Sequence, residues 1–288
     1  MNRLKEKLGH FSELVMFKHS VFSLPFIFIA MFVAAHHDGL EWFGWKLLFL
    51  GTLAAVTARN FAMGVNRYLD RDIDILNPRT KGRPSVDGRV SSSQMIGFIA
   101  VNALLFFIAA YYINPLALKL SIPILAVLGV YTYFKRFSSL AHLILGVSLG
   151  LAPIAGVVAV SAEITMWSVY LAIGVMFWVA GFDLLYSLQD MEFDKAYNLH
   201  SIPSKFGADK TMWIARVFHV SAVVFWACFV YTADLGFWAQ LAVFFSAVIL
   251  GYEHYIVNKD FTKIDKAFFT VNGYLGFVFL ILIIMEVL

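Results

Sequence analysis

The chain alternates long apolar runs with short polar interruptions. Runs such as "VFSLPFIFIAMFVAA" and "NGYLGFVFLILIIMEVL" approach the ~20 apolar residues that a helix needs to cross a bilayer core. They are continuous rather than alternating, which argues against a transmembrane barrel. The pattern predicts nine helices, over 21–36, 46–67, 95–113, 116–134, 140–160, 166–188, 211–232, 236–256 and 267–288. The expected fold class is all-α integral membrane, a bundle of about nine transmembrane helices. Residues 1–288 read as a single membrane-embedded domain, with polar loops at about 67–94 and 189–210.

Composition agrees. Charged residues make up 14% of the chain, against about 25% in a soluble domain. The first apolar run lacks a small-residue cleavage site and further spans follow it, so it reads as a span and not as a removable signal. The single cysteine, Cys228, lies in an apolar segment, which leaves no intrachain disulfide or thiolate metal site.

The basic residues set the orientation. The N-terminal tail (Arg3, Lys5, Lys7, Lys18) and the loops after predicted helices 2, 4, 6 and 8 hold 18 of the 22 Lys and Arg residues. By the positive-inside rule these segments face the cytoplasm and the C-terminus lies outside, as in a multi-pass protein of the cell (inner) membrane. Arg59, within helix 2, is different. An arginine at membrane depth is costly and marks a functional position.

Two acidic patterns carry the chemistry. "NRYLDRDID" sets Asn66, Asp70 and Asp74 four residues apart, a spacing expected to stack them on one helical face while Asp72 turns to solvent. "DLLYSLQDMEFD" repeats the spacing with Tyr186, Asp190 and Asp194, each 120 residues further on, and places Asp183 seven residues before Asp190. Four helices separate the patterns, which suggests two pseudo-repeated four-helix halves plus one helix.

Paired carboxylates suit Mg²⁺, which typically shares one or two of them with substrate phosphates. A diphosphate bridging two such ions is the natural ligand. Mixed charges that merely solvate a loop would explain one pattern, but not the same spacing at two matching helix ends. A lipid-tailed diphosphate would also have its head at the interface and its tail in hydrocarbon. Some of the 29 Phe, 12 Tyr and 7 Trp residues could line that tail and face a developing carbocation, although most such rings pack helices or meet lipid.

At these residues the chain resembles the UbiA family of membrane aromatic prenyltransferases, in its 4-hydroxybenzoate polyprenyltransferase-like branch. "NPRTKGRP", "YFKRFSSLAHLILGVSLGLAPIAG" and "LHSIPSKFG" extend the resemblance over most of the length. It implies Mg²⁺-assisted transfer of a polyprenyl group from its diphosphate to an aromatic carboxylic acid in quinone synthesis. The acceptor would be 4-hydroxybenzoate or, as the alternative, a naphthoate-type acid of menaquinone synthesis. It further implies that Asn66, Asp70 and Asp74 hold one Mg²⁺ and that Asp190 and Asp194 hold the other.

Arg71, Arg79, Lys81 and Arg83 become candidates for the diphosphate, and Arg59, Lys135 and Arg136 for the acceptor carboxylate. Asp183 and Tyr186 join the catalytic set, with Asp183 taking the aromatic proton or orienting Arg59. The eight histidines are assigned no role. One position departs from the pattern: Arg67 stands where many members have Asp after the motif asparagine.

The expected partners are polyprenyl diphosphate, a small aromatic acid and the bilayer, with no nucleic acid and no protein partner indicated. A carrier would place its charges mid-membrane on broken helices. A phospholipid-making alcohol phosphotransferase would need glycines where Thr57 and Asn66 stand. Soluble isoprenoid synthases, which share paired aspartates, do not fit this hydropathy.

Overall fold

The computed structural model describes residues 9–15, 24–260 and 264–288, and every regular element among them is helical. The long helices are α1 (Leu24–His37), α2 (Gly44–Leu69), α3 (Ser92–Ile113), α4 (Pro115–Val130), α5 (Ala141–Ser161), α6 (Met166–Ser187), α7 (Ala208–Thr232), α8 (Phe237–Lys259) and α9 (Asn272–Val287). A 3₁₀ segment, Tyr131–Arg136, prolongs α4, and a π-helical turn, Ala267–Val271, leads into α9.

Each predicted span coincides with one of these helices. Among the described residues, eight helices are long and apolar enough to cross a membrane, and α1, with 14 residues, is shorter. The predicted start of its span at 21–23, and the bases Arg3, Lys5, Lys7, Lys18 and Lys263, lie outside the described residues.

Local chemistry sets the helix ends. Ser91 and Gln94 form a reciprocal capping box at the start of α3, which satisfies two of the backbone donors a helix start leaves unpaired. Asn114 ends α3 and starts α4: its side chain accepts from Ala117 N at 2.8 Å and donates to Val158 O at 2.7 Å, and Pro115 follows at the first helical position. At the start of α8, the Glu286 carboxylate of α9 accepts from the backbone N–H groups of Gly236, Trp238 and Ala239. A negative charge there complements the helix dipole.

The apolar core lies mainly in the second half. Phe26 of α1 meets Trp178 of α6 and Trp226 of α7, and Trp226 meets Phe279 of α9, with ring centroids 5.0–5.5 Å apart. These rings pack helices, while others such as Trp45, Trp213 and Tyr231 are exposed on the outer surface of the bundle, the two fates expected from the sequence. In the first half α2 packs chiefly on α3, and in the second α6 makes the corresponding contact with α7 while also packing closely on α5.

Elsewhere helices touch through small residues. On α5 a Cβ added at Gly146 would lie 2.3 Å from the Met176 carbonyl oxygen of α6. This backbone approach depends on glycine, as in other membrane helix pairs built on small residues. Gly146→Ala should destabilise the fold by about 1–3 kcal/mol, read as a lower thermal-unfolding midpoint in detergent. The matched control is Gly97→Ala on α3, where an added Cβ meets nothing within 4 Å. Equal midpoints for the two variants would contradict the close α5–α6 contact.

Candidate active site

Both acidic patterns lie where a long helix breaks. Asp70 ends α2 with φ −89° and ψ 3°, and a four-residue helix, Arg71–Asp74, follows. Asp190 closes a 3₁₀ turn after α6 with φ −99° and ψ 1°, and the short helix Met191–Ala196 follows with Asp194 on it. The single continuous face expected from four-residue spacing is thus replaced by a break at the first acid of each pair. Both acids occupy the sparsely populated bridge region, where active-site residues often sit. The repetition of the break supports the two-half reading more directly than the spacing does.

The acids surround one end of a cavity of about 460 Å³. Asn66, Asp70, Asp74, Asp183, Tyr186, Asp190 and Asp194 all line it. Below them the wall becomes apolar. Ala54, Ala58 and Ala62 continue the four-residue stripe of Asn66 and Asp70 down α2, facing Leu145, Leu149 and Ala152 of α5. Short side chains on α2 leave the space open. Phe106, Tyr131, Phe182, Tyr186, Phe193 and Phe269 supply the aromatic faces of the lining; of these rings only Tyr186 was singled out by the sequence.

Three of the acids meet basic side chains. Asp70, 2% exposed, accepts at Oδ2 from Lys135 Nζ at 2.6 Å, Asn66 Nδ2 at 2.9 Å and Thr132 Oγ1 at 3.0 Å. Arg83 donates to both oxygens of Asp74 at 2.7 Å. Arg79 reaches across to the second half, where its guanidinium chelates Asp190 and donates to Tyr186 Oη at 3.0 Å. Asn77 Nδ2 also donates to Asp190, at 3.0 Å. Burial disfavours the Arg79 charge, but the hydrogen bond and the charge of Asp190 hold its pKa above the ordinary value. The loop after α6 docks on the first half, with His200 N donating to Lys135 O at 2.9 Å.

Not all the bases considered above reach the cavity. Arg79, Arg83, Arg59 and Lys135 line it. Arg71 lies outside and donates to Ser92 Oγ at 2.7 Å, and Lys81 is exposed outside the lining. Arg136, next to Lys135, also turns away: it donates to Asp72 at 2.6 and 2.9 Å and to Leu69 O. That hydrogen bond holds Asp72 below the usual carboxylate range, so Asp72 is paired rather than merely solvated.

Arg59 donates to Val15 O at 2.9 Å. Arg67 belongs to the last turn of α2, not to the loop after it, and is buried. It donates to Leu14 O at 3.2 Å and to Asn66 Oδ1 at 2.9 Å, which turns the Asn66 amide nitrogen toward Asp70.

The sequence reading passed over three lining residues that the geometry brings into play. Thr132 and Asn77 contact the acids directly, and His142 places Nδ1 2.7 Å from Asp183 Oδ2. Asn77 and His142 lie in stretches that carried the family resemblance and Thr132 directly precedes one, but a single polar residue in each place gives no periodic signal.

Among the described residues, no group of three or more His, Cys, Asp or Glu side chains is positioned to hold a metal unaided. The donors nevertheless fit a hard cation. They are carboxylates and an amide, and the buried Asp70 Oδ1 has no hydrogen-bond partner among the described residues. A buried acceptor left bare in this way is costly, and Mg²⁺ characteristically takes only one or two protein carboxylates.

The sequence pattern of the UbiA prenyltransferase family matches residues 23–282. A 4-hydroxybenzoate octaprenyltransferase from Paracidovorax citrulli is 30% identical over 236 residues, covering 81% of this chain and 79% of that protein. An apo structure of a UbiA homolog from Aeropyrum pernix K1 superposes with a TM-score of 0.78 at 30% identity, covering 92% of this chain and 95% of that one. A UbiA homolog from Archaeoglobus fulgidus, bound to GPP and Mg²⁺, shares the fold with a TM-score of 0.72 at 18% identity, over 95% and 99% of the two chains. Matched along nearly its whole length, the chain belongs to the UbiA prenyltransferase family and is a multi-pass membrane prenyltransferase.

Proposed function

We propose that this protein transfers a polyprenyl group from polyprenyl diphosphate to an aromatic carboxylic acid, 4-hydroxybenzoate, in quinone synthesis, with the site facing the cytoplasm. The observation that carries this reading is one continuous cavity with two pairs of carboxylates at its mouth and an apolar body below. A charged head and a hydrocarbon tail require that combination. The resemblance to 4-hydroxybenzoate octaprenyltransferases supports the choice of acceptor.

In this reading Asp70 and Asp74, with Asn66, hold one Mg²⁺, and Asp190 and Asp194 hold the other. Bound there, Mg²⁺ supplies Lewis-acid stabilisation of the departing diphosphate. Arg79 and Arg83 supply phosphate contacts from the cavity wall, a task suited to bidentate guanidinium groups. Arg71 and Lys81, outside the wall, have no part in it. Tyr186 and Phe269, ring centroids 6.2 Å apart, present faces to the developing allylic cation, and the bundle keeps water away from it. Lys135 and Arg59 bind the acceptor carboxylate, while Arg136 braces the α2 end through Leu69 O and Asp72.

Asp70→Ala and Asp190→Ala should each lower transfer by at least ~100-fold, as for the loss of an electrostatic stabiliser in other enzymes, while still inserting in the membrane. Full activity in both would sink the assignment of two metal-binding pairs. Lys135→Met should be nearly as severe. Arg136→Met removes a pair with a well-exposed partner, worth about 0–1 kcal/mol, and should be mild; the reverse ranking would reassign the acceptor site.

The decisive assay uses purified protein in detergent with Mg²⁺, a polyprenyl diphosphate and 4-hydroxybenzoate, with product followed by mass and an EDTA control. Mg²⁺-dependent prenylated hydroxybenzoate is expected. Product from a naphthoate-type acid alone would keep the chemistry and move the protein to menaquinone synthesis. No product from either acid would return the carrier reading.

A further inference from the structure

We propose that His142 is the base that removes the aromatic proton, with Asp183 fixing its tautomer. The inference rests on the prenyl-transfer reading above. Bond making explains the need for a base. The electron pair of the allylic C–O bond leaves with the diphosphate, and a ring π pair forms the new C–C bond. The attacked ring carbon then carries one hydrogen too many. Its C–H pair must return to the ring, and the proton must go to a base inside the cavity.

Few groups in the wall are free for that task. Asp70, Asp74 and Asp190 are engaged by Lys135, Arg83 and Arg79 and, with Asp194, belong to the diphosphate end. His200 is exposed at the mouth, where water competes. His142 is buried at the start of α5 and lines the cavity. Its partner Asp183 lies on α6 seven residues before Asp190, about 10 Å deeper at helical rise. The pair therefore sits below the diphosphate end, where a ring attacking the first carbon of the tail would lie.

The hydrogen bond sets the proton. At 2.7 Å between His142 Nδ1 and Asp183 Oδ2, an ionised carboxylate can only accept, so Nδ1 carries the hydrogen and Nε2 keeps a lone pair. That Nε2 is buried and has no hydrogen-bond partner among the described residues. A carboxylate holding one imidazole nitrogen so that the other serves as base is the arrangement of hydrolase triads. On accepting the proton the ring becomes an imidazolium, which the adjoining Asp183 stabilises.

The test uses the full-length protein in detergent, with 4-hydroxybenzoate carrying either hydrogen or deuterium at the ring carbons that accept the prenyl group. Wild-type protein should show a small isotope effect, because proton loss is assisted and fast. His142→Ala should lose about 10²–10⁴-fold in transfer rate, the usual worth of a general base, with a primary isotope effect emerging as proton loss becomes limiting. Added imidazole should restore part of the rate.

His142→Gln, which can keep a donor toward Asp183 but has no base, should show the same loss and the same isotope effect. Its KM for polyprenyl diphosphate and its thermal midpoint should stay unchanged. This variant decides the matter if the alanine variant does not fold. Near wild-type rates without an isotope effect would overturn the assignment. So would a large loss with neither an isotope effect nor imidazole rescue, which would leave His142 a packing role only. Wild-type protein that prenylates no aromatic acid would instead remove the underlying reading.

Discussion

The structure depends on keeping carboxylates charged at the edge of a hydrocarbon interior. An isolated carboxylate taken out of water costs several kcal/mol even after relaxation. Asp70 and Asp74 are buried, and each is answered by a cation brought from elsewhere in the chain. Lys135 comes from the end of α4, while Arg83 and Arg79 come from the loop after α2. Because Arg79 and Asn77 bind Asp190, that loop also ties the first half of the bundle to the second. Charge compensation and the joining of the halves are thus the same set of contacts.

What was legible in the sequence follows from this. The spans were visible because bilayer thickness demands long uniform runs, a signal that survives any detail of packing. The acid pairs were visible because a spacing of four residues repeats at 120. The break at Asp70 and Asp190 was not, because four-residue spacing is the same for a continuous helix and for a long helix followed by a short one. The two geometries differ only at the backbone of one residue.

The basic residues were the least legible. Lys135 and Arg136 are adjacent and chemically alike, yet one faces Asp70 and the other Asp72. Their directions are set by the 3₁₀ winding of Tyr131–Arg136, about three residues per turn, which the sequence does not announce. Arg67, the one position that departs from the family pattern, donates to Asn66 Oδ1 and to Leu14 O. The substitution of a base for an acid there steadies the motif asparagine and anchors the segment before α1. His142 was missed for the opposite reason: its meaning lies entirely in a partner 41 residues away.

The ion pairs also constrain what can enter. A cation arriving at Asp74 or Asp190 competes with Arg83 or Arg79 for the same oxygens, and a displaced guanidinium in this setting needs a new anion. An anion alone would face the remaining carboxylates. A ligand that brings both charges together, phosphate oxygens with their metal counterions, satisfies the acids and the arginines at once. Under the proposed function, the mouth would therefore select the combined species before any tail contact is made. The alanine stripe of α2 then favours a ligand whose remainder is apolar, and selection by charge above and by hydrocarbon below acts on one molecule.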